Sequence, residues 1–210
     1  MGTEAFARLD HLLLGIADLD RGITWMQEKT GVKATIGGTH PGLGTRNALI
    51  SLGNLQYIEI ISLDPMQKRL GPTATCVKDL TAPQLITWAA STWDIDALSQ
   101  QAQAAGYEIE GPIPGQRMKP DGTILKWKTA KLITRLGDMV PFFIEWGHGV
   151  THPAEDCAAG CRLEVFEVEH PQADQVRKMF TVFGMKETIT PSFRPRLKVI
   201  LSTPKGRIEL

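Results

Sequence analysis

The run Asp10-His11-Leu12-Leu13-Leu14-Gly15-Ile16, with Asp18 just after it, decides the fold of this 210-residue chain. The run is apolar and has the length of a strand. Asp18 can cap a helix that Gly31 would end. The apolar positions that share one face of this helix are Leu19, Ile23 and Met26. Strand-like pieces separated by glycine-rich turns then follow at 32–36, 48–52 and 57–61. The predicted order is strand, helix and three strands.

This order of elements recurs twice more along the chain. Asp94 can cap a second helix that Gly106 ends, and a third helix near Pro171 ends at Gly184. Each unit closes on Ile-Glu and an apolar residue: Ile58-Glu59-Ile60, Ile144-Glu145-Trp146 and Ile208-Glu209-Leu210. A carboxylate in an apolar strand is costly unless something binds it. The recurring glutamate is therefore the first candidate for a site.

The repeat predicts an α+β fold made of βαβββ modules at residues 8–62, 85–147 and 162–210. One such unit leaves a face of its sheet uncovered, so the first two are expected to pair into a curved mixed sheet that encloses a cup. A third module then has two options. It packs on the outside of the pair, or it meets its own copy in a homodimer.

Composition excludes several classes of partner. Hydrophobic residues make up 42%, the formal net charge is zero and no block of like charges stands out, so neither nucleic acid nor a membrane is an expected partner. The apolar runs are too short to span a bilayer. The three cysteines are an odd number and fit a reducing compartment, so we expect a cytoplasmic protein. The glycines at 37–44 lack the lysine of a phosphate loop, and no nucleotide or flavin is predicted.

Six motifs resemble the glyoxalase-like domain proteins of the vicinal oxygen chelate superfamily. They are Leu9-Asp10-His11, Asp18-Leu19-Asp20, Thr39-His40-Pro41-Gly42-Leu43-Gly44-Thr45-Arg46-Asn47-Ala48, Tyr57-Ile58-Glu59, Pro141-Phe142-Phe143-Ile144-Glu145-Trp146 and His152-Pro153. The resemblance covers nearly the whole chain, and its most specific part is His-Pro-Gly-x-Gly-Thr-x-Asn. In metal-dependent members of the superfamily, the ligands come from the first and last strands of each paired module. The resemblance thus implies His11, Glu59 and Glu145 as metal ligands. Thr87 stands where a second histidine is usual.

This ligand set shapes the implied chemistry. Ferrous ring cleavage needs two imidazoles and one carboxylate, so a ring-cleaving dioxygenase is not expected. One His and two Glu imply zinc, nickel, manganese or cobalt, which would polarise a substrate carbonyl while Glu145 moved the proton on the adjacent carbon. The implied function is a lyase or isomerase acting on a small oxo compound. The alternative is a metal-free protein that binds or sequesters a small molecule in the same cup, which Thr87 favours. In a third interpretation, the site has lost its function and the protein works through its surface.

Other residues around the cup each allow two interpretations. His40 is a candidate catalytic base or substrate donor, although turn chemistry alone could explain its glycine-rich surroundings. The substrate-binding candidates are Arg46, Asn47, Thr87, Trp88 and Trp146. Arg46 could clamp a carboxylate or phosphate, or simply be solvated. The tryptophans could line an apolar pocket or pack in the core.

The implied metal ligands also allow simpler, structural interpretations. His11 could bond a backbone group at a strand end, and Glu59 and Glu145 could be ion-paired or solvated. Period-two alternation nevertheless turns Glu59 away from Ile58 and Ile60, toward the cup. A zinc cluster of His148, His152, Cys157 and Cys161 matches no common spacing, so 147–160 is interpreted as a flexible linker.

Overall fold

Two βαβββ modules close into an eight-stranded barrel in the computed structural model, which describes residues 6–210. The first module comprises β1 (Arg8–Gly15), α1 (Leu19–Thr30), β2 (Thr35–His40), β3 (Thr45–Gly53) and β4 (Gln56–Leu63). A short helix, α2 (Pro72–Val77), lies in the connection that follows. The second module comprises β5 (Gln84–Ser91), α3 (Ile95–Ala104), β6 (Ile109–Met118), β7 (Ile124–Leu132) and β8 (Phe142–Trp146). The strands follow the order β1-β4-β3-β2-β6-β7-β8-β5 around the barrel. The α+β prediction is confirmed.

The helix caps form where the sequence places them. The side chain of Asp18 accepts a hydrogen bond from Arg21 N, and Gly31 ends α1 in the left-handed conformation with φ +81°. Asp94 caps α3 in the same way through Ala97 N. These caps satisfy helix-end N–H groups that have no partner within the helix. They fix where each helix leaves the barrel.

The barrel strands have an outer apolar face and an inner face that carries the polar residues. In β4, Ile58 and Ile60 belong to the main hydrophobic core, which also holds the apolar face of α1. Tyr57 and Glu59 lie on the opposite face and point into the barrel. Helices therefore cover the outside of the barrel, and its interior is free for a site.

A β-bulge in β1 changes this alternation at the site. Leu9 pairs with Ala90 of β5 and His11 pairs with Ala89, so β1 takes two steps where β5 takes one. Such a bulge places two consecutive side chains on the same side of a strand. Asp10 and His11 consequently both face the barrel interior, where their side chains bond each other.

The third module packs on the outside of its own barrel. It comprises β9 (Arg162–His170), α4 (Ala173–Val182), β10 (Thr188–Pro191), β11 (Arg196–Thr203) and β12 (Gly206–Glu209), in the sheet order β10-β9-β11-β12. Trp88 on the outer face of β5 makes edge contacts with Phe166 and Phe180, at ring-centroid distances of 4.8 and 5.8 Å. Leu9 N donates to Glu187 Oε1 at 2.8 Å. This is the first of the two arrangements that the repeat allows.

Residues 147–160 form an ordered cover over the barrel mouth, and their interpretation as a flexible linker is wrong. A 3₁₀ turn at Pro153–Glu155 holds Ala154 against Leu49 and Tyr57. Ser51 N donates to Ala158 O at 2.8 Å, and Ala158 N donates to Thr35 Oγ1 at 2.9 Å. We call residues 147–160 the cover segment.

No helix in the described part of the chain is long and apolar enough to cross a membrane.

Candidate functional site

Six polar side chains meet inside the barrel, and each is at most 6% exposed. This buried cluster consists of Asp10, His11, His40, Asn47, Glu59 and Arg117. It draws residues from β1, β2, β3, β4 and β6, so both modules contribute. Polar groups are costly to bury unless they are paired, and perturbed ionisable groups concentrate at functional sites.

Asp10 orients the imidazole of His11. Asp10 Oδ1 lies 2.6 Å from His11 Nδ1, while Oδ2 lies 3.1 Å from both His152 Nε2 and Trp146 Nε1. Burial opposes ionisation of Asp10, but the hydrogen bonds with His11 and His152 outweigh it and hold the pKa of its carboxyl well below its usual range. An ionised carboxylate can only accept, so Nδ1 of His11 carries the proton. In the neutral ring, Nε2 is then left with its lone pair.

Glu59 lies at the centre of the cluster. Its Oε1 accepts a hydrogen bond of 2.5 Å from Asn47 Nδ2, and its Oε2 lies 3.5 Å from His11 Nε2. His40 Nε2 approaches Oε1 to 3.7 Å. The two imidazoles therefore face one carboxylate across gaps too long for a good hydrogen bond.

His40 is held as a neutral base. Its Nδ1 lies 2.8 Å from Thr45 Oγ1. Burial lowers the pKa of His40 below 6.5; Glu59 opposes this shift, while Arg117 and His11 add to it. His40 ends strand β2 and does not lie in a loop, contrary to the sequence interpretation. Gly38 makes this strand possible, because a side chain there would place its Cβ 1.9 Å from Met118 O at the junction with β6.

Arg117 enters the cluster from β6. Its Nη1 donates to Asn47 Oδ1 at 3.3 Å, so the Asn47 amide lies between the guanidinium and Glu59. Gly37 leaves the room for this contact, because a Cβ there would lie 2.3 Å from Asn47 Oδ1 and 2.7 Å from Arg117 Nη1.

Aromatic rings enclose the polar groups. Tyr57 stacks on His11 with centroids 4.6 Å apart, and Phe142 meets the same imidazole edge-on at 5.7 Å. Trp127 contacts His40 edge-on at 6.0 Å and Trp146 at 5.6 Å. Burial raises the pKa of Tyr57 well above 10.0, so its hydroxyl stays neutral. The barrel interior, called the chamber below, thus combines aromatic walls with a few convergent polar groups, a combination that is typical of small-molecule sites.

The sequence predicted that Glu145 would join His11 and Glu59. The structure places Glu145 away from both residues. Leu13 of β1 pairs with Glu59 of β4, and when Asp18 is aligned with Asp94, Ala89 corresponds to Leu13. Ala89 pairs with Phe142 of β8. The place that corresponds to Glu59 in the second module is therefore taken by Phe142. Glu145, three residues later, lies on the outer face of β8.

Some of the predicted substrate-binding residues lie on the inner face of the barrel, and others lie on its outer face. Asn47 belongs to the buried cluster, and Trp146 lies on the inner face of β8 beside Trp127. Thr87 pairs with Leu13 on the β5 side of the barrel. Arg46 precedes Asn47 without a bulge and so lies on the opposite face of β3.

Trp88 also lies outside the chamber, where the sequence prediction had placed it as a substrate contact. It is 0% exposed, packs against the third module and donates through Nε1 to Met139 O at 2.8 Å. Its position supports core packing, which was the alternative interpretation.

Sequence reasoning assigned no role to three residues of the site. Asp10 enters the barrel only because of the bulge, and His152 was counted with the linker although it contacts Asp10. Arg117 lies in β6, a strand interrupted by Gly111, Pro112, Pro114 and Gly115. The only sequence signal for Asp10 is the Asp-His pair that it begins, and the only one for His152 is the His-Pro pair that it begins. Arg117 has none.

The metal ligands that the resemblance implies, His11, Glu59 and Glu145, do not come together in the structure. Of the implied ligands, only His11 and Glu59 meet, and Glu59 Oε1 is already bonded to Asn47. Within residues 6–210 there is no group of three His, Cys, Asp or Glu side chains that could hold a metal ion. Protein metal sites of the implied kind use at least three such ligands.

Residues 9–183 match the family described as "Glyoxalase-like domain", and the chain belongs to that family. No curated protein matched the chain.

Solved structures share the architecture at low identity. A hypothetical protein from Staphylococcus aureus is 19% identical with a TM-score of 0.68, and the match covers 97% of this chain and 86% of that one. Methylmalonyl-CoA epimerase from Mycobacterium tuberculosis is 19% identical with a TM-score of 0.50, over 69% and 92% of the two chains. A hypothetical protein from Bacillus halodurans C-125 is 15% identical with a TM-score of 0.51, over 69% and 98%. At these identities the likeness concerns the fold alone.

Proposed function

We propose that the protein is an isomerase or lyase that moves a proton on the carbon next to the carbonyl group of a small oxo compound. The observation that carries the proposal is the line of Asp10, His11 and Glu59, in which His11 Nδ1 is bonded to Asp10 and Nε2 faces the chamber at 3.5 Å from Glu59. A carboxylate that fixes the tautomer of a histidine leaves the other nitrogen available as a general base.

The step balances with this chain's own groups. His11 Nε2 takes the proton, the C–H electron pair forms the enolate double bond, and the carbonyl oxygen takes the negative charge. Returning the proton to either face of the carbon completes an isomerisation. Expelling a group from the next carbon completes an elimination. His40 faces Glu59 beside His11, and as a neutral imidazole it is suited to be the second proton carrier.

The apolar walls support this chemistry. Tyr57 and Phe142 hold the His11 ring from two directions, which fixes the direction of its lone pair. The burial of His11 and Glu59, which are 3% and 6% exposed, limits the water around the enolate. A small substrate bound in the chamber is therefore held next to the proton carriers, His11 and His40.

The test is proton–deuteron exchange followed by NMR in D₂O. The probes are pyruvate, 2-oxobutyrate and the neutral hydroxyacetone, whose protons next to the carbonyl should exchange faster with the protein than without it. His11→Asn should slow the catalysed exchange by about 10²- to 10⁴-fold, the range for losing a general base. His148→Asn, an exposed histidine of the cover segment, is the matched control and should exchange like the wild-type protein. Catalysed exchange that survives in His11→Asn, or no catalysed exchange with any probe, contradicts the proposal.

A second candidate is metal-free binding of a small molecule in the same chamber. The observation that favours it is the closed state of the site, with Glu59 bonded to Asn47 and the cover segment over the mouth. Stabilisation of the protein by a probe, indifferent to chelator and without exchange, would support binding in place of catalysis.

Zinc, nickel, manganese and cobalt have no part in the proposed step, because Glu145 lies outside the chamber. Calorimetric titration of chelator-treated protein with each ion should show no stoichiometric uptake. Uptake of one equivalent that His11→Ala abolishes would instead restore the ligand set implied by the sequence.

A further inference from the structure

Arg117 is a buried cation without a carboxylate partner. Its side chain is 4% exposed, its Nε is buried with no hydrogen-bond partner, and its Nη1 bonds the neutral amide of Asn47. Across residues 6–210, no carboxylate oxygen lies within 4.0 Å of its guanidinium nitrogens, although fourteen other residue pairs in that part of the chain meet this limit. Burying an unpaired charge is costly, so such a group calls for an anion from outside the chain.

Arg117 lines a cavity of about 250 Å³ between β2, β6 and the cover segment. The lining includes Thr35, Gly37, Leu49, Arg117, Lys119 and Cys157. Lys119 is already ion-paired with Asp156 of the cover segment. Asp121, also in the lining, accepts a hydrogen bond from Thr123 N. The lining thus carries two positive and two negative charges, but Asp121 is exposed and Lys119 is paired with Asp156, which leaves Arg117 as the buried charge of this cavity without a carboxylate within 4.0 Å.

We infer that Arg117 binds the carboxylate of the substrate, which makes the substrate class a small oxo acid. The planar guanidinium fork matches a carboxylate, and this inference deepens the proposed function and rests on it for the oxo group. The Asn47 amide joins Arg117 to Glu59, which faces His11 and His40, so Asn47 and Glu59 connect the anion site to the proton carriers.

Charge and size favour a carboxylate over a phosphate. A phosphate ester carries about −1.5 to −2 charges at neutral pH. One free guanidinium balances only one of these charges, since the neighbouring cation, Lys119, is already paired with Asp156. Burial raises the pKa of the Cys157 thiol to about 11, despite the opposing effect of Arg117, so that thiol stays neutral. A volume near 250 Å³ lies below the usual range of drug-sized pockets and suits an acid of a few carbons.

The first experiment measures binding by calorimetry to the wild-type protein. Pyruvate and 2-oxobutyrate should bind, and pyruvamide, which has a neutral amide in place of the carboxylate, should bind about 10- to 100-fold more weakly. Inorganic phosphate should not compete with pyruvate. Failure of both acids to bind, or equal binding of pyruvamide, overturns the inference. Displacement of pyruvate by equimolar phosphate identifies a phosphate subsite and overturns it too.

The second experiment uses Arg117→Met, which keeps much of the side-chain volume and removes the charge. Pyruvate binding should be lost, while the thermal midpoint of the free protein should stay equal or rise, because an unpaired buried charge has gone. A clear fall in that midpoint would show that Arg117 has a structural partner and would overturn the inference. Arg46→Met, the arginine on the outer face of β3, is the comparison and should bind pyruvate as the wild-type protein does. Loss of binding in Arg46→Met with retention in Arg117→Met overturns the assignment.

The exchange assay separates this inference from the proposed function. In Arg117→Met, exchange of pyruvate should fall much further than exchange of hydroxyacetone, which has no carboxylate to lose a partner. If no probe exchanges in any variant but pyruvate binding still requires Arg117, the subsite stands and the catalytic proposal fails. If hydroxyacetone and pyruvate both exchange regardless of Arg117, the catalytic proposal stands and the subsite fails.

Discussion

Glu145 Oε2 accepts a hydrogen bond of 2.7 Å from the backbone N–H of Ile95, the first residue of α3. A carboxylate at this place satisfies a helix-end donor and interacts favourably with the positive end of the helix dipole. The glutamate that the repeat marks in the second module therefore joins α3 to β8 on the outside of the barrel. Glu145 is tolerated in an apolar strand because its carboxylate bonds to the end of a helix.

We expect Glu145→Ala to cost about 0.5–2 kcal/mol of unfolding free energy, the range for losing a helix cap. Exchange activity should remain, because the side chain lies outside the chamber. Urea denaturation and the exchange assay measure the two effects. Glu145→Gln is the paired variant, since it keeps an acceptor and loses the charge, and it should cost less. An inactive Glu145→Ala with unchanged stability would return this residue to the site.

Trp88→Ala should destabilise the protein by about 3–5 kcal/mol, the range for removing a large buried aromatic side chain. Trp88 joins the barrel to the third module through Phe166 and Phe180, so the cavity would open between the two sheets. Trp93→Ala is the control, because Trp93 is 71% exposed and its loss should change the stability by no more than about 0.5 kcal/mol. Equal effects of the two substitutions, measured by urea denaturation, would contradict the packing role.

Gly37→Ala should weaken pyruvate binding although no polar side chain is changed. The new Cβ would meet Asn47 Oδ1 and Arg117 Nη1, so the two groups must move apart. Overpacking of this kind typically costs about 1–3 kcal/mol of stability. Calorimetry with pyruvate and urea denaturation give the two readouts, and Ile133→Ala, at a position that is 55% exposed and outside the cavity lining, is the control. Wild-type affinity in Gly37→Ala would mean that the Asn47–Arg117 contact does not position the ligand.

Acidification should destabilise the protein through His40. Its pKa in the folded protein lies below 6.5, mainly because of burial, so near and below that pH the unfolded chain binds more protons. The free energy of unfolding should fall as the pH is lowered from about 7.5 to about 5. Asp10 contributes in another window, since its lowered pKa adds stability above 3.8 that is lost only in stronger acid.

His40→Gln removes this proton linkage, so its unfolding free energy should depend less steeply on pH between about 5 and 7.5. His148→Gln, which changes an exposed histidine, should keep the wild-type slope. Urea denaturation at several pH values measures the slopes. Identical slopes in His40→Gln and the wild-type protein would show that His40 titrates normally in the folded state.

The fold and one face of the site could be predicted from local sequence because they depend on periodicity and caps. The alternation of Tyr57, Ile58 and Glu59 predicts that Glu59 faces the chamber, and the structure confirms it. Asp18 and Gly31 mark the ends of α1 correctly for the same reason: each acts through its own backbone neighbourhood.

The features of the site that were not predicted depend on the register between distant strands, which no short motif encodes. The position of Phe142 opposite Ala89 decides that Glu145 misses the chamber, and the bulge at Asp10 decides that the Asp-His pair enters it. Arg117 was missed because proline and glycine disrupt the strand signal of β6. The homodimer and the cytoplasmic location stay predictions, since no contact within one chain bears on either.

The cover segment has a consequence for turnover. Its backbone hydrogen bonds to Ser51 and its side-chain contacts at Leu49 and Tyr57 hold it over a cluster that is almost inaccessible to solvent. If the proposed reaction takes place in the chamber, a substrate must pass this segment to reach His11 and the product must pass it again. The opening rate of the segment would then set a ceiling on the steady-state rate at saturating substrate, whatever the rate of the chemistry.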